Sequence, residues 1–81
     1  LSWILQPNPA SDKTTILFAE PVAAAMSLEV FDLTGRMLLQ QAVEMGSSHI
    51  ELELSGFPSG ILWVRLKNGQ GSAVKPLMVG N

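Results

Sequence analysis

Cysteine is absent from this chain of 81 residues, and histidine occurs only once. No disulfide framework can form, and no Cys/His cluster exists that would hold a structural zinc ion. A domain of this size buries only about 60% of the surface of its unfolded chain, so its margin of stability is thin. Apolar packing alone must hold the fold, and a content of 47% hydrophobic residues makes that feasible.

Positive charge and long apolar runs are also scarce. Five Lys and Arg residues stand against seven Asp and Glu residues, which argues against a nucleic-acid partner because phosphate binding needs many cations. No run of about 18 apolar residues is present, so no membrane span is predicted. The first residues lack the pattern of a signal peptide, and the chain begins with Leu1 rather than Met. We therefore expect a processed or excised piece of a longer protein.

Alternation of apolar and polar residues is the dominant pattern, and it predicts half-buried strands separated by regular turns. Strands are predicted around residues 16–18, 26–30, 37–42, 50–54, 62–66 and 73–79, with Trp3–Leu5 as a short edge strand. This spacing is typical of an all-β domain, a small antiparallel β-sandwich of six to seven short strands. The predicted core consists of Ile16, Phe18, Leu28, Val30, Ile50, Leu52, Leu54, Leu62, Val64 and Leu66.

Turn residues punctuate this pattern. Gly35 follows Thr34 at the centre of a predicted hairpin, where glycine tolerates a positive φ without a Cβ clash. Asn68 and Gly69 mark the last connection, and residues 21–26 are too short for an isolated helix and are expected to form a loop. We expect residues 7–81 to be the domain, with residues 1–6 as a linker remnant or short edge strand.

Convergent catalytic groups are hard to find. Glu51 and Glu53 share one side of a strand with His49, which is typical of a solvated surface. Ser47 and Ser48 beside His49, with Asp32 elsewhere, do not indicate a catalytic triad, because adjacency in sequence is no evidence of hydrogen-bonded geometry. We expect no enzyme, no catalytic residue, no cofactor and no metal site.

The last third of the chain carries two features that could mark a contact surface. If Leu62 and Val64 face the core, Trp63 faces outward, unless a loop or the Trp3 segment covers it. Residues 61–81 also carry only basic charges, Arg65, Lys67 and Lys75, a pattern that is also a common guard against edge-to-edge aggregation. Both explanations stay open for each feature.

Four motifs in a fixed order resemble a known family. They are Pro7-Asn8-Pro9, a strand ending in residues 32–36 (Asp-Leu-Thr-Gly-Arg), residues 60–66 (Gly-x-x-x-Val-Arg-Leu), and a final Lys-x-Leu-x-Val strand at residues 75–79. In this order they resemble the C-terminal sorting domain of type IX secretion cargo, a family of the Bacteroidetes. The resemblance runs from about Pro7 to Val79.

The resemblance implies an Ig-like β-sandwich at the C-terminus of an exported protein, behind an N-terminal cargo domain. It implies Sec export into the periplasm, recognition by the outer-membrane translocon, and removal by a sortase-like peptidase. The cargo would then be attached to lipopolysaccharide at the cell surface or released. On this hypothesis the domain is an address signal and a substrate of the peptidase.

Matched position by position, the resemblance assigns roles to individual residues. Gly60 opens the penultimate strand, Arg65 is its basic residue, Gly35 is the hairpin glycine and Lys75 begins the last strand. The predicted sorting residues are Gly60, Arg65, Lys75, Leu77 and Val79, and the predicted turn residues are Pro7, Asn8, Pro9, Gly35, Asn68 and Gly69. Lys75 is expected to be an exposed charge that contributes little to stability.

Three positions depart from the family pattern. Leu62 stands where an aromatic is usual, Gln6 replaces an aromatic before the Pro-Asn-Pro motif, and Pro76 replaces a frequent second lysine. Since proline lacks an N–H, we expect Pro76 to lose one ladder bond and to lie in an edge strand.

Two other hypotheses compete with the sorting signal. One is an adhesion or carbohydrate-binding module, for which Trp3, Phe57 and Trp63 are the candidate aromatic residues. The other is an oligomerisation element that forms a homodimer through a sheet edge or through the Trp63 face. The aromatic candidates form no clear cluster in the sequence.

Overall fold

Two antiparallel sheets enclose one apolar core in the computed structural model, which describes residues 1–80. The strands of this region are β1 (Trp3–Gln6), β2 (Lys13–Phe18), β3 (Met26–Phe31), β4 (Met37–Val43), β5 (His49–Glu53), β6 (Gly60–Asn68) and β7 (Gly71–Val79). One sheet has the order β1-β2-β5 and the other the order β4-β3-β6-β7. The prediction of a small, all-β, Ig-like sandwich with six to seven strands is confirmed.

Side-chain alternation places the core where the sequence predicts it. Of the ten predicted core residues, all are buried except Ile50, which is half-buried and packs against the others. Full burial of a side chain of this kind stabilises a fold by about 1.5–3 kcal/mol. Alternation is therefore a sufficient guide to the central strands.

The core also includes residues that the alternation pattern does not reveal. They lie in edge strands, strand ends and loops: Trp3, Leu5, Ala10, Val22, Val43, Leu77 and Val79. The four residues of β1 and the loops are too short to show a period of two, so the inward positions of Trp3, Leu5, Ala10 and Val22 are set by the packing of neighbouring elements. Residues 21–25 form a loop, as expected, and Val22 is its buried member.

The β3–β4 hairpin has the turn that its sequence predicts. Gly35 has a φ of +89°, and its N–H donates to the carbonyl of Asp32 at 3.1 Å. A turn closed in this way and followed by a left-handed residue is a common three-residue hairpin connection. The positive φ predicted for Gly35 is thus found.

The edge strands β1 and β7 lie on the same side of the sandwich. Lys75 of β7 reaches the indole ring of Trp3 in β1, and the chain between β1 and β2 runs along the free edge of β7. The first and last strands thus lie next to each other at this side. Residues 1–80 include no helix with the length and apolar character needed to cross a membrane.

Candidate functional site

The β6–β7 pair, here called the terminal hairpin, contains all five predicted sorting residues. Leu62 pairs with Leu77 and Gly60 with Val79, and the side chains of Leu62, Leu77 and Val79 are buried in the sandwich. Leu77 is 0% and Val79 is 5% exposed. These two residues are therefore placed to hold the last strand from inside, and their side chains are not presented to solvent.

Gly60 is required by the backbone at the start of β6. Its φ is +116°, a region that residues with a side chain rarely adopt. A Cβ added at Gly60 would meet no atom within 4 Å, so conformation and not lack of space explains the glycine. The positive φ thus explains why the motif has glycine at the start of this strand.

The outer side of the terminal hairpin carries exposed apolar side chains. Trp63 is 39%, Val74 51% and Met78 43% exposed, and Trp63 lies opposite Pro76 across the two strands. We call Ile61, Trp63, Val74, Pro76 and Met78 the outer patch. Because Trp3 is buried in the core, the alternative that its segment covers Trp63 is not supported.

Arg65 is engaged within the chain. Its Nε donates to Oε1 of Glu29 at 2.6 Å, and its guanidinium lies 4.8 Å from the centroid of the Phe31 ring. Gln40 donates to the other oxygen of Glu29 at 3.3 Å. Glu29 is only 3% exposed although it faces away from the core, because these long side chains cover it. Arg65 thus neutralises a buried carboxylate beside the outer patch.

Lys75 also has a partner in the chain. It is half-buried, and its Nζ lies 5.3 Å from the centroid of the Trp3 ring, within range of a cation–π interaction. The expectation that Lys75 is an exposed charge is therefore wrong. The strand geometry explains the difference, because Lys75 pairs with the buried Val64 and shares its side of the sheet.

The Pro-Asn-Pro motif lies along the free edge of β7. The side-chain Nδ2 of Asn8 donates to the carbonyl of Pro76 at 3.0 Å, and its Oδ1 accepts from the N–H of Met78 at 2.9 Å. Ala10 forms a parallel bridge with Val79 two residues further on. The motif is therefore more than a turn, since it binds the last strand.

Pro76 lies in an edge strand, as predicted, but its missing N–H does not remove a hydrogen bond between β7 and β6. The carbonyl of Pro76 and the N–H of Met78 both point away from β6, towards Asn8. Residues 76 and 78 have the same orientation in the strand, so the missing N–H of Pro76 would also face the free edge. The predicted loss of a bond between the two strands is therefore wrong.

The far end of the terminal hairpin is closed by local contacts. Oδ1 of Asn68 accepts a hydrogen bond from the N–H of Gln70 at 2.8 Å, across Gly69. Such a bond from an Asn side chain to the backbone two residues later stabilises a tight turn. Gly69 thus lies in the turn between β6 and β7, and Asn68 is the last residue of β6.

The polar residues that could suggest a triad do not come together. Ser48 Oγ lies 3.1 Å from His49 Nδ1 just before β5. Asp32 lies beyond the opposite end of β4 and accepts hydrogen bonds from Thr34 and Arg36. The Thr34 hydroxyl is the main reason why the pKa of Asp32 is lowered. Asp32 therefore acts within its own turn.

Two further kinds of site have little support in the described part of the chain. Residues 1–80 contain no group of three or more His, Asp or Glu side chains placed to hold a metal ion. Of the three candidates for a sugar-binding aromatic platform, Trp3 is buried, Phe57 is half-buried and Trp63 faces outward from the other sheet. These rings do not form a common surface.

Comparison with known protein families agrees with the motifs. The model of the secretion system C-terminal sorting domain family matches residues 5–80, and the chain belongs to this family. No curated protein matches the chain. The domain is thus a type IX secretion sorting signal, a non-catalytic class of domain. Membership implies a cargo in the same parent chain and export to the cell surface or release from the cell.

Proposed function

We propose that the outer-membrane translocon of the type IX system recognises the outer patch of the terminal hairpin while the protein is in the periplasm. A sortase-like peptidase then removes the domain from its cargo. The observation that supports this proposal is the exposure of Trp63, Val74 and Met78 on the hairpin that carries the family's last two motifs. Large apolar side chains on an outer face are typical of contact surfaces.

The five predicted sorting residues have a supporting role in this proposal. Gly60 lets β6 begin, Leu77 and Val79 hold β7 from the core side, and Lys75 ties β7 to Trp3. Arg65 follows Trp63 on the outer side of β6, and its side chain covers Glu29 there. The motif therefore shapes the hairpin, and the outer patch makes the contact.

Exposed aromatic side chains give the outer patch its expected binding energy. Trp and Tyr dominate the energetics of many interfaces, because they bury a large area and lose little conformational entropy. Trp63 is central in the patch, opposite Pro76 and between Ile61 and Arg65 along β6. Trp63 is accordingly the residue whose loss should affect recognition most.

A reporter fusion tests the proposal in a cell that has the type IX system. The Trp63→Thr variant should reduce display of the reporter at the cell surface and leave the fusion in the periplasm. The matched control is Ile4→Thr, since Ile4 is an apolar strand residue that is 53% exposed on the other sheet. Thermal melting of both purified domains confirms that they are folded.

Two outcomes would contradict the proposal. One is equal surface display of the wild-type fusion and a folded Trp63→Thr fusion, and the other is an equal loss caused by Ile4→Thr. Truncation after Val74 is a poor test, because it removes the buried Leu77 and Val79 and so unfolds the core. Point substitutions in the outer patch avoid this confusion.

A further inference from the structure

The segment Pro7–Ala10, here called the edge segment, continues a regular ladder along β7. The N–H of Ala10 donates to the carbonyl of Met78 at 2.8 Å, and the carbonyl of Ala10 accepts from the N–H of Gly80 at 2.8 Å. In a parallel pair of strands, a residue bonds in this way to the two residues that flank its partner. The partner of Ala10 is Val79, and the flanking residues are Met78 and Gly80. Ala10 thus pairs with β7 as a strand residue would.

The side chain of Asn8 extends this ladder by one step. Its amide donates to the carbonyl of Pro76 and accepts from the N–H of Met78, the residues on either side of Leu77. The pattern is the one made by Ala10, moved by two residues along β7. A side-chain amide has the same donor and acceptor groups as a peptide bond, so Asn8 takes the place of a strand residue.

The edge segment is held in place from its other side. The buried hydroxyl of Thr14 donates to the carbonyl of Pro7 at 2.7 Å, and Thr14 is 0% exposed. The methyl group of Ala10 lies in the core, where the residue is 5% exposed. Because β2 and the core fix its position, the edge segment can in turn fix the position of β7.

We propose that Asn8 is a positioning residue that closes the free edge of β7 from Pro76 to Gly80. An open edge of this kind is a template for the addition of another strand. With the edge segment in place, the open part of β7 is confined to Ser72 and Val74. A partner must then contact the last strand through side chains, a consequence that rests on the proposed function.

Amide hydrogen exchange in the wild-type chain gives a first test that needs no substitution. Met78 and Gly80 should exchange slowly, since both amides donate to the edge segment. Ser72 and Val74 have the same orientation in β7 but lie beyond the edge segment, so they should exchange at least about tenfold faster. Equal exchange rates at Met78 and Val74 would overturn the proposal.

Substitution of Asn8 gives the second test, with two matched variants. Asn8→Ala should speed up exchange of the Met78 amide by about fivefold or more relative to exchange of the Val79 amide. Val79 is the reference because it pairs with Gly60 of β6, so its amide does not depend on Asn8. Asn8→Asp keeps an acceptor for the Met78 N–H but turns its second oxygen toward the Pro76 carbonyl, so protection of Met78 should lie between that of wild type and that of Asn8→Ala. Asn68→Ala removes a side-chain bond from the other end of the same hairpin and should leave Met78 unchanged.

Two results of the substitutions would contradict a positioning role. One is a Met78 exchange rate unchanged by Asn8→Ala, and the other is an acceleration no greater than that of Val79, which would indicate general loosening. If Asn8→Ala does not fold, Asn8→Asp and the wild-type comparison of Met78 with Val74 decide the matter. These measurements use no secretion machinery, so their outcome is independent of whether the outer patch is recognised.

Discussion

The two hairpins of the four-stranded sheet are stabilised over very different sequence distances. In the β3–β4 turn, Asp32 accepts hydrogen bonds from residues two and four positions later. In the terminal hairpin, the end of β7 is bound by Asn8, which lies 68 and 70 positions before its partners. The first hairpin is therefore specified locally, whereas the last strand depends on the rest of the domain.

The shape of a turn can therefore be set by nearby residues, whereas the position of an edge strand can depend on residues far away in the sequence. Both hairpins use a polar side chain to close the turn, Asp32 in one and Asn68 in the other. β4 and β7 are the two outermost strands of this sheet, and in β7 a distant segment covers part of the free edge. A sorting signal whose last strand is held in this way has a defined outer patch only in the folded domain.

The largest expected effect comes from removing the support of β7 in the core. Leu77→Ala should lower the free energy of unfolding by about 2–5 kcal/mol, because it leaves a cavity under the terminal hairpin. The matched control is Met78→Ala, on the outer side of the same strand, which should cost about 0.5 kcal/mol or less. Urea denaturation measures both. Similar losses for the two variants would contradict the assignment of inner and outer sides.

An intermediate effect is expected in the β3–β4 turn. Gly35→Val should destabilise the domain by about 1–2 kcal/mol, since a β-branched residue is strained at the φ of +89° found there. A Cβ at Gly35 would meet no atom within 4 Å, so the cost is conformational. Gly35→Asn should cost less, because asparagine adopts this region more readily. A melting temperature unchanged by Gly35→Val would show that the turn tolerates the strain.

The smallest effect is expected from the charge of Asp32, whose side chain is 18% exposed in the β3–β4 turn. Its pKa is lowered in the folded state, so its contribution to stability is present above the ordinary value of about 3.9 and is lost as the pH falls through the lower, folded value. The stability difference between wild type and Asp32→Asn should therefore shrink on acidification. Urea denaturation at a series of pH values measures it.

The control for this titration is Glu53→Gln, which removes the same charge from the surface of β5. It accounts for the change in net charge that any loss of a carboxylate produces. A difference between wild type and Asp32→Asn that stays constant down to about pH 2 would show that the hydrogen bonds of the turn do not depend on ionisation.

Much of the fold could be predicted because the relevant information is local. The alternation around Leu62, Trp63 and Val64 assigns each side chain to the core or to solvent, and the structure confirms those assignments. The turn at Gly35 follows from the backbone freedom of a single residue. The ordered motifs also resemble the sorting-domain family to which the chain belongs.

The roles of individual residues in the terminal hairpin could not be predicted in the same way. Leu77 and Val79 share a motif with Lys75, and their side chains lie in the core. Lys75 was expected to be a free charge, and it lies over the Trp3 ring. A motif shows which residue types recur at which spacing, but it does not show whether a side chain meets solvent or another strand.

Periodicity and the conformational preferences of short segments were enough to predict the strands, the turns and most of the core, and the ordered motifs pointed to the family. The order of the strands in each sheet is seen only in the folded domain. That order placed Arg65 on Glu29, 36 positions away, and Asn8 on the edge of β7. The physical reason is that hydrogen bonds and ion pairs between distant segments depend on strand order and register, which a local pattern of apolar residues does not encode.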